Sequence, residues 1–322
     1  MSLKKAAAAI RKNKTFLIST HTNPEGDALG SELAFYILLK KLGKTGILMN
    51  EDDIPYGYDF LPGVENIRKY KSNIRNLKFD CFVVLDCSDL KRTGEVYRIN
   101  PENKPIINID HHISNQYFGA VNCVDPHASS CSEIIFRLYK EMGVSFDSQS
   151  ALSLYVGILT DTGSFRYSNT TSSTHKAVAE LLKFGLNVSQ IYKNTYENIP
   201  YQDIKLLSQV LPTMKRAGAG KIAWFQLRHN LLRNKKLSFD LTDNLLSFAR
   251  SVKGVEVCIL FKENLGVRNE VRINFRSQGK VNVNDIAFFF GGGGHKTASG
   301  ATVHGNIDSV RAKVIARVKK SL

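Results

Sequence analysis

The chain has 322 residues and a mass of 36.0 kDa, a length that suits two domains at roughly 150 residues each. Apolar residues make up 43% and charged residues 23%, the balance of an ordinary globular protein, which excludes a disordered or low-complexity chain. Forty-four Lys and Arg against 29 Asp and Glu give a net charge of +15, a field that attracts polyanions and leaves nucleic-acid binding open without fixing a fold.

Residues 1–12 read as a short helix. Only Ala6–Ile10 separates Lys4 and Lys5 from Arg11, Lys12 and Lys14, too short an apolar core for a signal peptide. No apolar run approaches the ~20 residues that span a bilayer. These two readings place the protein in the cytoplasm with no membrane partner. Thr15–Thr20 is a β-rich run, followed by a polar turn and a helical pattern over Ala28–Leu42. Thr45–Asn50, Phe79–Leu85 and Pro105–Ile109 are further strand candidates. Their near-continuous apolar character suits parallel strands covered on both faces. Helical patterns recur at Cys131–Met142, Gln149–Thr160 and Ser173–Phe184. The alternation predicts a doubly wound, mainly parallel α/β domain over residues 1–187.

Residues 188–212 read as a connecting helical linker, interrupted by Pro200 and ended by Pro212. Strands then dominate at Lys221–Leu227, Val255–Lys262 and Glu270–Phe275, with helices near Asp240–Arg250, Val283–Phe289 and Ser309–Lys319. Residues 213–322 are therefore expected to form a smaller α+β domain. Five scattered cysteines without a C-x-x-C pair give neither a disulfide framework nor a thiolate zinc site, and read as small buried thiols.

Four polar clusters directly follow apolar runs. The first runs from His21 through Glu25 and Asp27 to Ser31. Asp86 closes FDCFVVLD, and Asp110, His111 and His112 close PIINIDHH. Asp161 closes LSLYVGILTD. Each alone has a dull explanation, such as a helix N-cap. Together they are expected at strand ends of one sheet, where open parallel sheets form their ligand crevice. Clustered carboxylates need cations to offset their repulsion. Carboxylates mixed with imidazoles suit Mn2+ better than Ca2+ or a thiolate zinc site. The donors suffice for two ions, a standard arrangement for attack on phosphorus. Near the C-terminus, Arg272 and Arg276 share one face of a predicted strand, and Gly291–Gly294 with His295 form a side-chain-poor loop. Such a loop lets backbone N–H groups approach an anion closely. The phosphate-loop pattern G-x-x-x-x-G-K-[ST] is absent, which disfavours a nucleoside triphosphatase.

The segments HTNPEGDALGS, VVLDCSD, IDHHIS and GILTDTGSF resemble the four ordered motifs of the DHH phosphoesterase superfamily. RINFRS, GGGGH and TASGA resemble its DHH-associated C-terminal domain. The compact two-domain layout is most similar to the bifunctional oligoribonuclease and pAp phosphatase, or nanoRNase, type. The resemblance implies a hydrolase that cuts short RNA oligonucleotides to mononucleotides and pAp to AMP, using two divalent ions, Mn2+ foremost. It implies one ion on His21, Glu25 and Asp86, and another on Asp27, Asp86, His111 and Asp161. It further implies His112 at the scissile phosphate, Asp110 orienting a histidine ring, and Arg272, Arg276, Ser277, Gly292, Gly293 and His295 on the substrate. Glu25 departs from the Asp more usual in the family, which leaves direct ligation and an outer role both open. Three alternatives stand beside this reading: a phosphodiesterase for cyclic dinucleotides or pApA, a manganese inorganic pyrophosphatase, and a non-catalytic RNA-binding protein. A homodimer is left open.

Overall fold

A computed structural model describes residues 2–322 apart from 75–76, 101–102, 233–240 and 265. The chain divides into two compact units, Met1–Asn198 and Ile199–Leu322.

The first unit holds one six-stranded sheet. Its strands are β1 (Thr15–Ser19), β2 (Thr45–Asn50), β3 (Arg68–Lys69), β4 (Cys81–Leu85), β5 (Ile106–Asp110) and β6 (Val121–Val124). They lie in the order β3-β2-β1-β4-β5-β6, and every pair is parallel. The chain winds outward from β1 to β3, then returns to place β4 on the other side of β1. The order therefore reverses between β1 and β4, and ligand crevices of parallel sheets open at such a reversal.

Alternate side chains of a strand point to opposite faces. Phe16 and Ile18 enter a core shared with α1 (Leu3–Lys12), α2 (Gly26–Lys41), α3 (Cys131–Met142) and α4 (Ser148–Asp161). Leu17 enters a second cluster with Met49, Phe82 and Val84, closed by Val96 from the 3-10 run Leu90–Ile99. That run was not expected from the sequence. α2 and α4 pack at backbone distance: a Cβ on Gly30 would lie 2.4 Å from the Ser153 carbonyl oxygen. Two further helices, α5 (Ser172–Leu181) and α6 (Val188–Tyr192), complete the unit.

The second unit contains α7 (Tyr201–Val210), β7 (Lys215–Ala217), β8 (Ile222–Leu227), α8 (His229–Leu232), α9 (Thr242–Ser251), β9 (Val257–Glu263), β10 (Glu270–Ser277), α10 (Val283–Phe289), β11 (Gly293–Gly294), β12 (Ala298–His304) and α11 (Ile307–Lys319). Its sheet runs β11-β12-β10-β9-β8-β7, and β8–β9 is its parallel pair. α10 and α11 contribute to the core on one face of this sheet, α7 and α9 to that on the other. Asp240, the expected start of the helix before Arg250, lies outside the described residues.

The segment read as a linker splits between the two cores. Ile191 packs into the first unit, while Leu206, Leu207 and Val210 of α7 pack into the second. All five cysteines are free and buried. Among the described residues, no helix is long and apolar enough to cross a membrane.

Candidate active site

The strands β1 and β4 are tied together just before they deliver their polar residues. Thr20 Oγ1 donates to the Leu85 carbonyl at 3.0 Å. His21 and Asp86 follow directly. Asp86 adopts φ +53°, a left-handed conformation that Asp tolerates better than most residues. It is 1% exposed and stands at the centre of the cluster.

His21 donates from Nδ1 to the Thr22 carbonyl at 2.8 Å. Its Nε2 is thereby turned toward Asp86 Oδ2 at 3.5 Å and Glu25 Oε1 at 3.7 Å. Burial alone would lower the pKa of this imidazole, but the Asp86 and Glu25 carboxylates outweigh it and raise it to about 9. Glu25 stands at the N-cap position of α2 with its side chain 59% exposed.

Asp27, in the first turn of α2, is fully buried. Its two oxygens accept from the backbone N–H groups of Cys131 at 2.6 Å and Ser132 at 2.9 Å, at the start of α3. Helix N-termini present N–H groups and positive dipole to such anions. Even so, burial and the Asp86 charge raise the Asp27 pKa to about 7.

His111 Nε2 faces three carboxylates: Asp86 at 3.3 Å, Asp161 at 3.6 Å and Asp27 at 3.8 Å. Burial would raise the Asp86 pKa, but His111 and His21 hold it well below the carboxylate range. His112 Nδ1–H donates to Asp110 Oδ1 at 2.7 Å. Asn115 donates to the other Asp110 oxygen at 2.6 Å. Both oxygens of Asp110 are therefore engaged in fixing the imidazole and the loop that follows it.

The structure corrects one placement. Asp161 does not follow a strand: it ends α4. LSLYVGILT is helical, as the pattern over Gln149–Thr160 predicts, and only the grouping of Asp161 with strand ends fails. Asp161 reaches the cluster from the helix C-terminus. Asn169 ties down its backbone, donating to the carbonyls of Asp161 at 3.0 Å and Ser129 at 2.9 Å. The remaining seven residues of the expected cluster come together at the ends of β1, β4 and β5 and the start of α2. Asn115 and Asn169 were missed, because no local pattern marks an amide that braces a carboxylate in the folded chain.

Among the described residues of the first unit, three trios drawn from that unit alone have ligand-type atoms within 4.8 Å of one another: His21, Glu25 and Asp86; Asp27, Asp86 and His111; Asp86, Asp110 and His112. Asp86 belongs to all three. Among the described residues, His21 Nε2 and Asp86 Oδ1 have no hydrogen-bond partner, and both are buried. A buried polar atom left unpaired is costly unless something else satisfies it. Imidazole and carboxylate atoms converging around these two unpaired atoms fit cations at the trios that hold His21 and His111, whereas His112 and Asp110 already pair with each other.

The other expected residues lie in the second unit. Arg272 is exposed and Arg276 half-buried, four residues apart on one face of β10. Arg276 Nη2 pairs with Asp243 Oδ1 at 2.7 Å. Ser277 is buried, its N–H donating to the Thr297 carbonyl at 2.9 Å. Gly293 pairs with Gly300 in the β11–β12 ladder. A Cβ on Gly292 would lie 2.0 Å from the Gly300 carbonyl oxygen, so no other residue fits there without displacing β12. His295 N–H and the Ala298 carbonyl close the turn at 2.7 Å.

Comparison with known proteins agrees with this geometry. The DHH family N-terminal domain matches residues 15–158 and the DHHA1 domain matches residues 231–320. The bifunctional oligoribonuclease and PAP phosphatase NrnA of Thermus thermophilus is 32% identical over 95% of this chain and 89% of its own length. The protein of the same name from Bacillus subtilis is 26% identical over 90% of each chain. A crystal structure of an exopolyphosphatase-related protein from Bacteroides fragilis superimposes with a TM-score of 0.87 at 26% identity, covering 99% of this chain and 96% of that one. With its two domains, its fold and its relatives in agreement, the chain belongs to the DHH family of phosphoesterases, carries a DHHA1 domain, and is a hydrolase.

Proposed function

We propose that this hydrolase cuts short RNA oligonucleotides to mononucleotides and removes the 3′-phosphate of pAp to give AMP. The carrying observation is the sharing of Asp86 by three ligand-type trios at the reversal point of a parallel sheet. The names of the Thermus and Bacillus relatives support the substrate class.

Two divalent cations, Mn2+ by the donor set, would supply positive charge at the phosphoryl group and a water of lowered pKa. His21, Glu25 and Asp86 would hold one. Asp27, Asp86, His111 and Asp161 would hold the other, with Asp86 common to both. Asp110 locks the ring of His112 through Nδ1, and Nε2 would meet a phosphoryl oxygen as charge builds on it. Arg272, Arg276, Ser277, Gly292, Gly293 and His295 are assigned to the substrate's far end. Arginine's fork matches phosphate oxygens, and the glycine loop admits close backbone approach. Water adds to phosphorus, the P–O bond to the leaving nucleoside breaks, and that oxygen takes a proton.

The test is an assay of purified protein with Mn2+ against short RNA, pAp, pApA, cyclic di-AMP and pyrophosphate. Turnover of short RNA and pAp above the others supports the proposal. Preference for the cyclic dinucleotide, pApA or pyrophosphate replaces it with one of the alternatives, and absence of any turnover rejects it.

A further inference from the structure

The second unit carries an aromatic and basic surface that the phosphoesterase reading does not use. α10 ends in Phe288 and Phe289, with Phe290 next in the chain. Ile286 and Ala287 enter the core and Phe290 packs against it, but Phe288 is 77% and Phe289 65% exposed. The Arg317 guanidinium, from α11, lies 5.1 Å from the Phe289 ring centroid. Its Nε is buried and has no hydrogen-bond partner among the described residues. Lys313 lies one helical turn before Arg317 and Lys320 nearly one turn after it, both exposed. Positions three and four apart share a helix face, so the three cations form a stripe. Asp285, one turn before Phe289, is the acidic residue of α10.

We propose that this surface binds single-stranded RNA, with bases stacked on Phe288 and Phe289 and backbone phosphates held by Lys313, Arg317 and Lys320. The inference rests on the reading that the chain acts on RNA, and extends it to strands longer than the reacting end. Single-strand binders combine aromatic platforms with a basic track along the backbone. A ring already stacked under a guanidinium offers both at one place. The alternatives fit less well. The core of a protein–protein face is depleted of lysine, and a membrane-surface helix needs a longer apolar face than two rings on a seven-residue helix. The net charge of +15 agrees with a polyanionic partner.

The experiment measures the anisotropy of a labelled 12-nucleotide oligo(A) with the purified full chain in EDTA, so that binding is read apart from turnover. Phe288→Ala with Phe289→Ala should weaken the 12-mer at least tenfold and an abasic 12-mer less than twofold. Lys313→Ala with Lys320→Ala should weaken both strands and lower the slope of log Kd against log salt by about 1.4, at ~0.7 per phosphate contact. Unchanged 12-mer affinity in the phenylalanine variant overturns the proposal, as does equal loss on the abasic strand. It is also overturned if that variant leaves RNA binding intact but dissociates a dimer in sedimentation, or releases the protein from phosphatidylglycerol vesicles. Loss of dinucleotide turnover together with 12-mer binding would place the rings in the reaction site and overturn a separate surface. A wild type that binds the 12-mer through the phenylalanines yet hydrolyses no RNA upholds the surface and sinks only the activity.

Discussion

Asn50 Nδ2 donates to Glu32 Oε2 at 2.7 Å, deep between β2 and α2. The same asparagine accepts from the Thr20 N–H at 3.1 Å through Oδ1. A chain of contacts thus runs from the middle of α2 to the residue before His21, and through Thr20 Oγ1 to the residue before Asp86. Among the described residues, Oε1 of Glu32 has no hydrogen-bond partner. Burial raises its pKa to about 8, against the opposing effect of Asn50.

That shift fixes a sign for stability. The folded state keeps a proton on Glu32 that the unfolded chain releases near pH 4.5. The stability tied to this protonation is complete below pH 4.5 and lost as pH rises through about 8. Glu32→Gln keeps the shape and cannot ionise. Its stability relative to wild type should therefore improve between pH 5 and pH 9, by a few kcal/mol at about 1.4 per pK unit. Urea denaturation of both proteins at the two pH values measures this. A difference that stays constant with pH would show that Glu32 is ionised in the folded protein.

Asp86 is expected to be the most sensitive residue of the cluster, because all three trios share it. Asp86→Asn keeps its volume and removes a negative charge common to two cation positions. Loss of about 4 kcal/mol of transition-state stabilisation corresponds to a ~10³-fold fall in kcat. Retention of more than a tenth of wild-type kcat at saturating Mn2+ would refute the bridging role.

Seven strands and most long helices were legible in the sequence because their apolar runs and periodicities are strong. Arg68–Lys69 was not, since two exposed charged residues form a strand only because β2 offers an edge. Ala298–His304 was not, because Ala, Ser and Gly have weak strand preference and here take their conformation from β10. The site was legible as polar residues following apolar runs. Asp161 was misplaced because it closes an apolar run as the strand-end carboxylates do, although the helical pattern over Gln149–Thr160 puts it at a helix end. The amides that brace the carboxylates come from tertiary contacts and leave no local trace.

Glu25 tests how far the cluster extends toward solvent. It approaches His21 to 3.7 Å yet is more than half exposed. If it is a direct ligand, Glu25→Gln should weaken Mn2+ binding about tenfold or more, while Glu25→Asp should keep activity. The raised pKa of His21 adds a pH dependence. A cation must displace that proton, so Mn2+ affinity should climb with pH up to about 9, with proton release on binding. Calorimetry in buffers of different ionisation enthalpy reads both. An unchanged isotherm for Glu25→Gln would move Glu25 out of the coordination shell.

The contact of α2 with α4 sets where Asp27 and Asp161 stand, since they lie at the site ends of these two helices. A Cβ on Gly30 would meet the Ser153 carbonyl oxygen at 2.4 Å and the Gly157 nitrogen at 3.0 Å. Backbone cannot yield as a side-chain tip can. Gly30→Ala should therefore destabilise the protein by roughly 1–3 kcal/mol despite alanine's better helix propensity. Thermal denaturation decides, and an unchanged or higher Tm would mean that the helices separate freely.

The last prediction separates chemistry from recognition. Every proposed cation ligand lies in the first unit, while Arg272, Arg276 and His295 lie in the second. Binding contacts remote from the reacting atoms position a substrate and help stabilise its transition state. A dinucleotide is long enough to use them, whereas a minimal aryl phosphodiester is not. Arg276→Ala combined with His295→Ala should therefore reduce kcat/KM for a dinucleotide far more than for the aryl diester. Charge-assisted contacts are worth about 1.5–3 kcal/mol each, so one lost contact alone predicts a gap of ten- to a hundredfold, at about 1.4 kcal/mol per decade. The pairing of Arg276 with Asp243 supplies an internal control. Asp243→Ala removes one partner of the guanidinium and leaves its charge, so it should alter dinucleotide turnover without reproducing the loss seen in the double variant. Equal loss on both substrates in that variant would mean that the second unit organises the cation site or the fold, and the division of labour between the units would be wrong.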